Sequence, residues 1–336
     1  MLNGKTVLIT GGTGSFGKSF SKFLLKNYHL KKLIIFSRDE CKQFKMKTSL
    51  NRNNVRFFIG DVRDLERLER AFNGVDIVIH AAALKHVPLL EYNPFEAVKT
   101  NVIGTQNVIN AAINKKVDQV ILISTDKACQ PVNLYGSTKL CAEKLFINGN
   151  SYSGGTTRFS AVRYGNVLGS RGSIIETLLQ KKPSDEVSIT DENMTRFWIT
   201  LYQSFQLVIF ALANMQGGEI FIPKIKSMKL VDLFETIMPH NPKKITGIRP
   251  GEKLHEILIH KEEARHCIEL KNYYVILPEF EEIFDIQNKF SSIIAQGQKL
   301  SPNFSYCSNS NPARLTPSEL EKILKIYFPK YYKSQA

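Results

Sequence analysis

Lys5-Thr-Val-Leu-Ile-Thr-Gly-Gly-Thr-Gly-Ser-Phe-Gly17 is a short apolar run that ends in a glycine-spaced turn and continues as an amphipathic stretch to about Tyr28. A glycine triplet alone says little. Set between a strand and a helix it says more, because such a turn offers the first amides of the helix to a pyrophosphate. Gly11, Thr13, Gly14, Ser15, Phe16 and Gly17 are therefore expected to bind a dinucleotide, on the first strand–helix unit of a Rossmann-like, doubly wound parallel α/β sheet.

The following units repeat the pattern. Lys32 to Phe36 is a second apolar run and ends in Ser37-Arg38-Asp39. An acidic residue at this strand end would bind the ribose 2′-hydroxyl of NAD, whereas an Arg accommodates the 2′-phosphate of NADP. Ser37, Arg38 and Lys42 thus favour NADP, and Asp39 reads as the cap of the next helix. Third and fourth strands, Val55 to Ile59 and Asp76 to His80, end in Gly60-Asp61-Val62 and Ala81-Ala82-Ala83. Asp61 and Val62 are expected near the adenine, and Ala81 and Ala82 would let the backbone approach the cofactor; helix capping and a tight turn are the plain alternatives. Lys85 and His86 lie in the loop above the sheet, where substrate enters and Lys85 also reaches the cofactor. A helix over Asn93 to Lys115 would face Thr100 and Asn101 toward the cofactor.

The chemistry concentrates after a fifth strand, Gln119 to Ser124. Thr125, Asp126 and Lys127 leave its carboxyl end together, where open α/β sheets place their ligands. Tyr135 and Lys139 follow one helical turn apart, so the ammonium is expected to lower the phenol's pKa and make Tyr135 a general base for an alcohol. A surface ion pair is the plain alternative for Asp126 and Lys127. Beyond Phe159 to Arg163 the regular alternation fades into turn-rich loops. The expected organisation is an NADP-binding domain over 1–165 with return segments near 200–222, a smaller discontinuous α/β substrate domain from 166–199 and 223–306, and a C-terminal helix and tail from 307–336.

Composition narrows the class. A chain of 336 residues with 43% hydrophobic content can bury a large core. It shows no leader and no apolar run approaching ~18 residues, which points to a cytoplasmic chain with no transmembrane segment. Five cysteines without a Cys-x-x-Cys pair fit free thiols and no metal site. Of the net charge of +14, +10 lies in residues 1–60, around the glycine loop. With no aromatic-basic platform beside it, this excess suits anionic small molecules and not nucleic acid.

The Gly-x-x-Gly-x-x-Gly spacing of residues 11–17, with Tyr135-x-x-x-Lys139 and Tyr164-Gly-Asn166, resembles the extended short-chain dehydrogenase/reductases. Four further segments resemble the inverting, 5-epimerising UDP-N-acetylglucosamine 4,6-dehydratases of the pseudaminic acid pathway. They are Ser124-Thr-Asp-Lys127, His80-Ala-Ala-Ala-Leu-Lys-His-Val-Pro88, Met194-Thr-Arg-Phe-Trp-Ile199 and Gly247-Ile-Arg-Pro-Gly-Glu-Lys-Leu-His-Glu256. The likeness runs from about Lys5 to Tyr306. It implies that Tyr135 takes the C4 hydroxyl proton while NADP accepts a hydride, that Lys139 holds the nicotinamide ribose, and that Thr125 holds the C4 oxygen. Lys127 would be the base at C5, kept neutral by desolvation and by Lys139, and protonated Asp126 would release the C6 hydroxyl as water. Hydride return to C6 and reprotonation of C5 from the opposite face would give UDP-2-acetamido-2,6-dideoxy-β-L-arabino-hex-4-ulose.

For the substrate, the same resemblance implies contacts from Asn166, Val167, Arg171 and Ser173 to the nucleotide sugar, from Thr190 and Arg196 on the uridine side, and from Arg249 with Glu252 to diphosphate and ribose. A homo-oligomer, dimer or hexamer, is also implied. Retaining members carry Asp-Glu where this chain has Asp126-Lys127, so a retaining dehydratase, or a 4-epimerase serving capsule or O-antigen, is the alternative. Ile174-Ile175-Glu176-Thr177 departs from the family pattern after Ser173, which bears on one pocket wall. Near the C-terminus, Ile323 to Lys333 mixes aromatics with lysine and reads as a frayed last helix, with attachment to an anionic membrane surface as the alternative.

Overall fold

Six apolar runs form parallel strands in the computed structural model, which describes residues 1–170, 172–182 and 184–329. They are β1 (Thr6–Thr10), β2 (Lys32–Ser37), β3 (Val55–Ile59), β4 (Ile77–His80), β5 (Gln119–Ile123) and β6 (Arg158–Val162). Their nearly continuous Val, Ile and Leu content follows from helices on both faces: Leu8, Ile9, Ile35, Ile79 and Ile121 are fully buried. Across the sheet the order is β3-β2-β1-β4-β5-β6. The winding reverses between β1 and β4, and that reversal opens a crevice at their carboxyl ends.

Beyond β6 the sheet continues further than expected. Ile220–Pro223 pairs with β6 in parallel, and Tyr273–Ile276, Cys267–Glu269 and Gln298–Lys299 follow antiparallel, completing a sheet of ten strands. Residues 267–299, assigned above to the substrate unit, therefore extend the main sheet. Val275, Ile276 and Ile268 are buried in its core, and the pairing covers an edge that would otherwise stand open.

The smaller layer is organised around Thr195–Ile199, flanked by Asn166–Val167 and Lys226–Lys229. Beside it Val187–Ile189 pairs with Lys243–Ile245, and Leu168, Ile175, Met194, Leu233 and Phe234 belong to a second core. Helix Pro317–Tyr327 starts with a Thr316/Glu319 capping box and buries Leu320 and Leu324 against helix Leu230–Ile237. It is a packed part of the small layer and not a frayed end; Lys330 to Lys333 lie outside the described residues. Among the described residues no helix is long and apolar enough to cross a membrane.

One helix departs from its expected form. The stretch from Pro94 to Asn114 is α-helical at both ends but π-helical over Val98–Ile103, so Thr100 and Asn101 sit on a wider turn. Such bulges redirect side chains within a helix.

Candidate active site

The crevice between β1 and β4 is lined by Gly11, Thr13, Gly14, Asp61, Val62 and Ala82, among others, and encloses about 280 Å³. Its shape depends on missing side chains. Gly11 has φ +64°, and a Cβ there would lie 2.8 Å from Ala82 Cα; a Cβ on Gly17 would lie 2.6 Å from Gly12 Cα. Ser37, Arg38, Lys42, Ala81 and Thr100 also reach this cleft. Thr100 Oγ1 is buried there without a hydrogen-bond partner among the described residues. A glycine cradle, a helix N-terminus at Ser15 and an unanswered buried hydroxyl fit a dinucleotide.

Two cofactor expectations are revised. Phe16 stacks on Phe20 at 5.2 Å and meets Phe205 edge-on, so its ring belongs to the core. Asn101 clasps both backbone groups of Leu84 at 2.8 and 2.9 Å and donates to Thr138 Oγ1 at 3.1 Å; it ties the loop after β4 to helix Leu134–Tyr152. Asp61 stays in the cleft, held there by Arg63 at 2.8 Å and Arg38 at 3.5 Å. Asp39 caps helix Glu40–Leu50 by accepting the Lys42 amide at 2.9 Å, as its spacing indicated.

At the tip of β5, Asp126 is fully buried and accepts from Thr125 Oγ1 at 2.9 Å. Lys127 Nζ lies 3.1 Å from Asp126 Oδ1 and 3.1 Å from Glu256 Oε1. Burial alone would lower the Lys127 pKa, but the two carboxylates outweigh it and hold the ammonium above its ordinary value. Burial pushes the Asp126 carboxyl up, and Glu256 adds to that push against the Lys127 charge. Lys127 is thus a cation at rest. The expectation that desolvation and Lys139 keep it neutral fails because Asp126, and after it Glu256 from a distant loop, outweigh the burial.

Tyr135 departs from expectation in a related way. Burial pushes its phenol up to about 12, against the pull of Lys127 and a hydrogen bond with Thr125. Lys139 instead donates to Ile123 O at 2.8 Å, and burial lowers it to about 8. The two side chains share a helix, Leu134–Tyr152, but the stabilising charge near Tyr135 is Lys127.

A second cleft, about 250 Å³, adjoins Lys127 and is lined by Asn166, Arg196, Arg249, Glu252 and Glu256, with Ile174 in one wall. Arg196 is buried, 3.5 Å from Glu252 and 3.7 Å from Glu256. Glu252 also accepts the Arg249 amide at 3.4 Å. Lys85 feels the charges of both Lys127 and Glu176, which places it at the same mouth, and His86 lies beside Gly172. Other expected contacts serve the fold. Ser173 caps helix Ile174–Leu179, Val167 pairs with Ile199, and the Thr190 hydroxyl donates to Met194 Sδ at 3.3 Å. Arg171 lies outside the described residues.

Residues 7–278 match the model of a family described as polysaccharide biosynthesis protein. The chain belongs to this family. UDP-N-acetylglucosamine 4,6-dehydratase (inverting) of Campylobacter jejuni serotype O:23/36, strain 81-176, is 52% identical over 329 residues, 96% of this chain and 98% of the relative. UDP-glucose 4-epimerase of Rickettsia rickettsii, strain Sheila Smith, is 40% identical over 332 residues, 95% of each chain. The X-ray structure of Pen from Bacillus thuringiensis superposes with a TM-score of 0.87 at 35% identity, covering 98% of this chain and 99% of that one. Solved structures at 19–22% identity share the fold, several of them with NAD bound.

Within this family member, Glu256 is the residue that sequence reading passed over. It lies at the end of a quoted motif, yet nothing local marks its carboxylate as the partner of Lys127. Burial would raise its pKa, but Lys127, Arg196 and Lys253 hold it below the ordinary value. Glu256→Gln removes one of the two anions that keep Lys127 charged. The acid limb of kcat against pH is then expected to move to lower pH; an unmoved limb would show that Glu256 does not govern the proton on Lys127.

Cys129, His260 and Glu263 bring ligand atoms within 4.8 Å of one another. Arg163 already binds both Glu263 oxygens, at 2.8 and 2.9 Å, and burial keeps the Cys129 thiol protonated by raising its pKa. The group is therefore a packed hydrogen-bonding cluster around an arginine, and a poor host for a cation.

Proposed function

We propose that the chain converts UDP-N-acetylglucosamine to UDP-2-acetamido-2,6-dideoxy-β-L-arabino-hex-4-ulose, as an NADP-dependent inverting 4,6-dehydratase. The observation that carries this reading is Lys127 at the β5 tip, bonded to buried Asp126 and bordering the cleft of Asn166, Arg196 and Arg249. A bound nicotinamide cofactor would supply hydride acceptance and donation at the sugar with no net consumption. Gly11, Thr13, Gly14, Ala82 and Thr100 would hold it, with Ser37, Arg38 and Lys42 at a 2′-phosphate and Lys139 at the nicotinamide ribose.

The chain's own residues supply the proton chemistry. Tyr135 takes the C4 hydroxyl proton when ionised, and Thr125 and Lys127 stabilise that phenolate. The Lys127–Asp126 contact then offers a way to arm both remaining groups at once. Moving one proton from Nζ to the carboxylate leaves a neutral amine and a carboxylic acid, with no proton exchanged with solvent. The amine removes the C5 proton, the C5–C6 double bond forms, and the C6–O bond breaks as Asp126 protonates the departing hydroxyl. Glu256 stabilises the ammonium that results. A solvent-derived proton delivered to C5 from the opposite face, while Lys127 passes its proton back to solvent, completes the inversion, and the product would open pseudaminic acid synthesis. Leu89, Tyr92 and Phe95, exposed on neighbouring helical turns, support self-association into a homo-oligomer.

Proton NMR of the protein with UDP-N-acetylglucosamine in D₂O, without reductant, tests the reading. A C6 methyl signal with deuterium and inverted configuration at C5 is expected. Retention at C5 would assign a retaining dehydratase. The second reading, 4-epimerisation, is favoured by the 40% identity to the Rickettsia epimerase; it predicts a changed C4 with C6 still hydroxylated.

A further inference from the structure

A cavity of about 790 Å³, larger than either cleft above, lies between the antiparallel edge of the main sheet and the C-terminal segment. It shares no wall residue with those clefts. Trp198, Tyr274, Phe304, Tyr306 and Leu315 give it an aromatic and aliphatic wall. Most polar groups around it are committed to the fold. Tyr306 Oη donates to Ile225 O at 2.8 Å, Asn311 Nδ2 donates to Ile225 O at 2.9 Å, and Thr200 and Gln203 cap a helix together. The exception is the indole N–H of Trp198, which is buried with no acceptor among the described residues.

Charge at the rim has a sign. Lys224 pairs with Glu269 at 2.7 Å, Lys226 with Glu319 at 2.5 Å, and Lys322 adds a third cation. Trp198 also links this cavity to the catalytic one. Its backbone registers with Lys226 on one side and with Asn166 on the other, and Asn166 lines the cleft at Lys127. Two residues away on the same strand stands Arg196.

We propose that this cavity binds a small amphipathic anion, a ring-bearing body with one acceptor for the Trp198 N–H and one acidic group at the lysine rim, and that its occupancy alters substrate binding through the Trp198 strand. The volume suits a single organic molecule, and an apolar wall with one reserved donor is how such sites orient a ligand. Burying that donor unanswered costs stability that an occupant would restore.

Trp198 is the single tryptophan of the chain, so the cavity carries its own reporter. The probe is 8-anilinonaphthalene-1-sulfonate, titrated into the full chain with saturating NADP⁺ and UDP so that the nucleotide clefts are filled. Saturable one-to-one quenching of tryptophan emission, with sensitised probe emission, is expected. Ala313→Phe, which fills the cavity, should weaken binding at least about tenfold, and the surface change Lys322→Glu about fivefold; the second variant stands if the first does not fold. In turnover assays the probe should change the KM for the UDP-sugar in the parent chain and not in Ala313→Phe. Absence of quenching, or quenching that both variants leave intact, would overturn the site. Binding with no effect on KM would overturn its regulatory role, and a change of assembly size on cavity filling would show a subunit interface instead.

Discussion

Lys127→Ala is expected to lower turnover to product by about a thousandfold, within the range that loss of a positioned base produces, while leaving cofactor affinity unchanged. The reason lies in which step needs the amine. Oxidation at C4 keeps its base, Tyr135, but loses the Lys127 charge that favours the phenolate, so reduced nicotinamide should build up more slowly, to at most one equivalent per site, and stay there. Water loss requires a base at C5, and among the described residues Asp126 has no ion pair with an amine other than Lys127. The substitution also removes the cation between Asp126 and Glu256, which raises Asp126 further and keeps it protonated, so a proton for the departing hydroxyl is still present while the base is gone. Stopped-flow absorbance of the reduced cofactor, with product measured by NMR, checks the prediction. Normal release of the methyl sugar would remove Lys127 from the mechanism.

Arg163→Met should destabilise the fold by ~3–5 kcal/mol and lower Tm by roughly 10 °C. Arg163 is fully buried, with Nη2 2.7 Å from Glu143 Oε2 and 2.8 Å from Glu263 Oε1, and Nη1 2.9 Å from Leu258 O. Methionine matches much of the volume and none of the charge, so two buried carboxylates lose their cation. The loss depends on pH with a definite sign. Burial opposes ionisation of Glu263, but Arg163 outweighs it and holds the pKa below the ordinary value. That contribution is present above the ordinary carboxylate pKa and disappears as pH falls through the depressed one. The gap between variant and parent should therefore be widest near neutrality and narrow in acid. Thermal melts across pH measure it, and a constant gap would refute the electrostatic account. Glu143 stands on the catalytic helix, one turn beyond Lys139, and Glu263 contacts the Cys129 thiol, so activity should fall along with stability.

Several features of the site follow strand ends and are legible without coordinates. Thr13, Asp61 and Ala82 come together because the carboxyl ends of parallel strands share one edge, and apolar runs locate those ends. Asp39 was read as a cap from its position before a helix, and caps that way. Phe16 was misassigned because a glycine loop does not disclose which way its neighbouring side chains turn; the ring faces helix Leu201–Asn214 through Phe205. Asn101, on the π-helical turn, is spent on the Leu84 backbone, a pairing between segments that the local sequence does not mark.

The sequence by itself determined the parallel frame, the dinucleotide cradle and the exit of Asp126-Lys127 from a strand tip. Each depends on periodicity or on a steric demand within a few residues. Only the tertiary structure decided which of these groups carry charge. Lys127 is held as an ammonium because Asp126 and, from another loop, Glu256 outweigh its burial, Tyr135 is a high-pKa phenol because the fold buries it, and Lys139 donates to the Ile123 carbonyl. Protonation reflects the balance between desolvation and the charges that converge on a group, and those charges come from segments far apart in the chain.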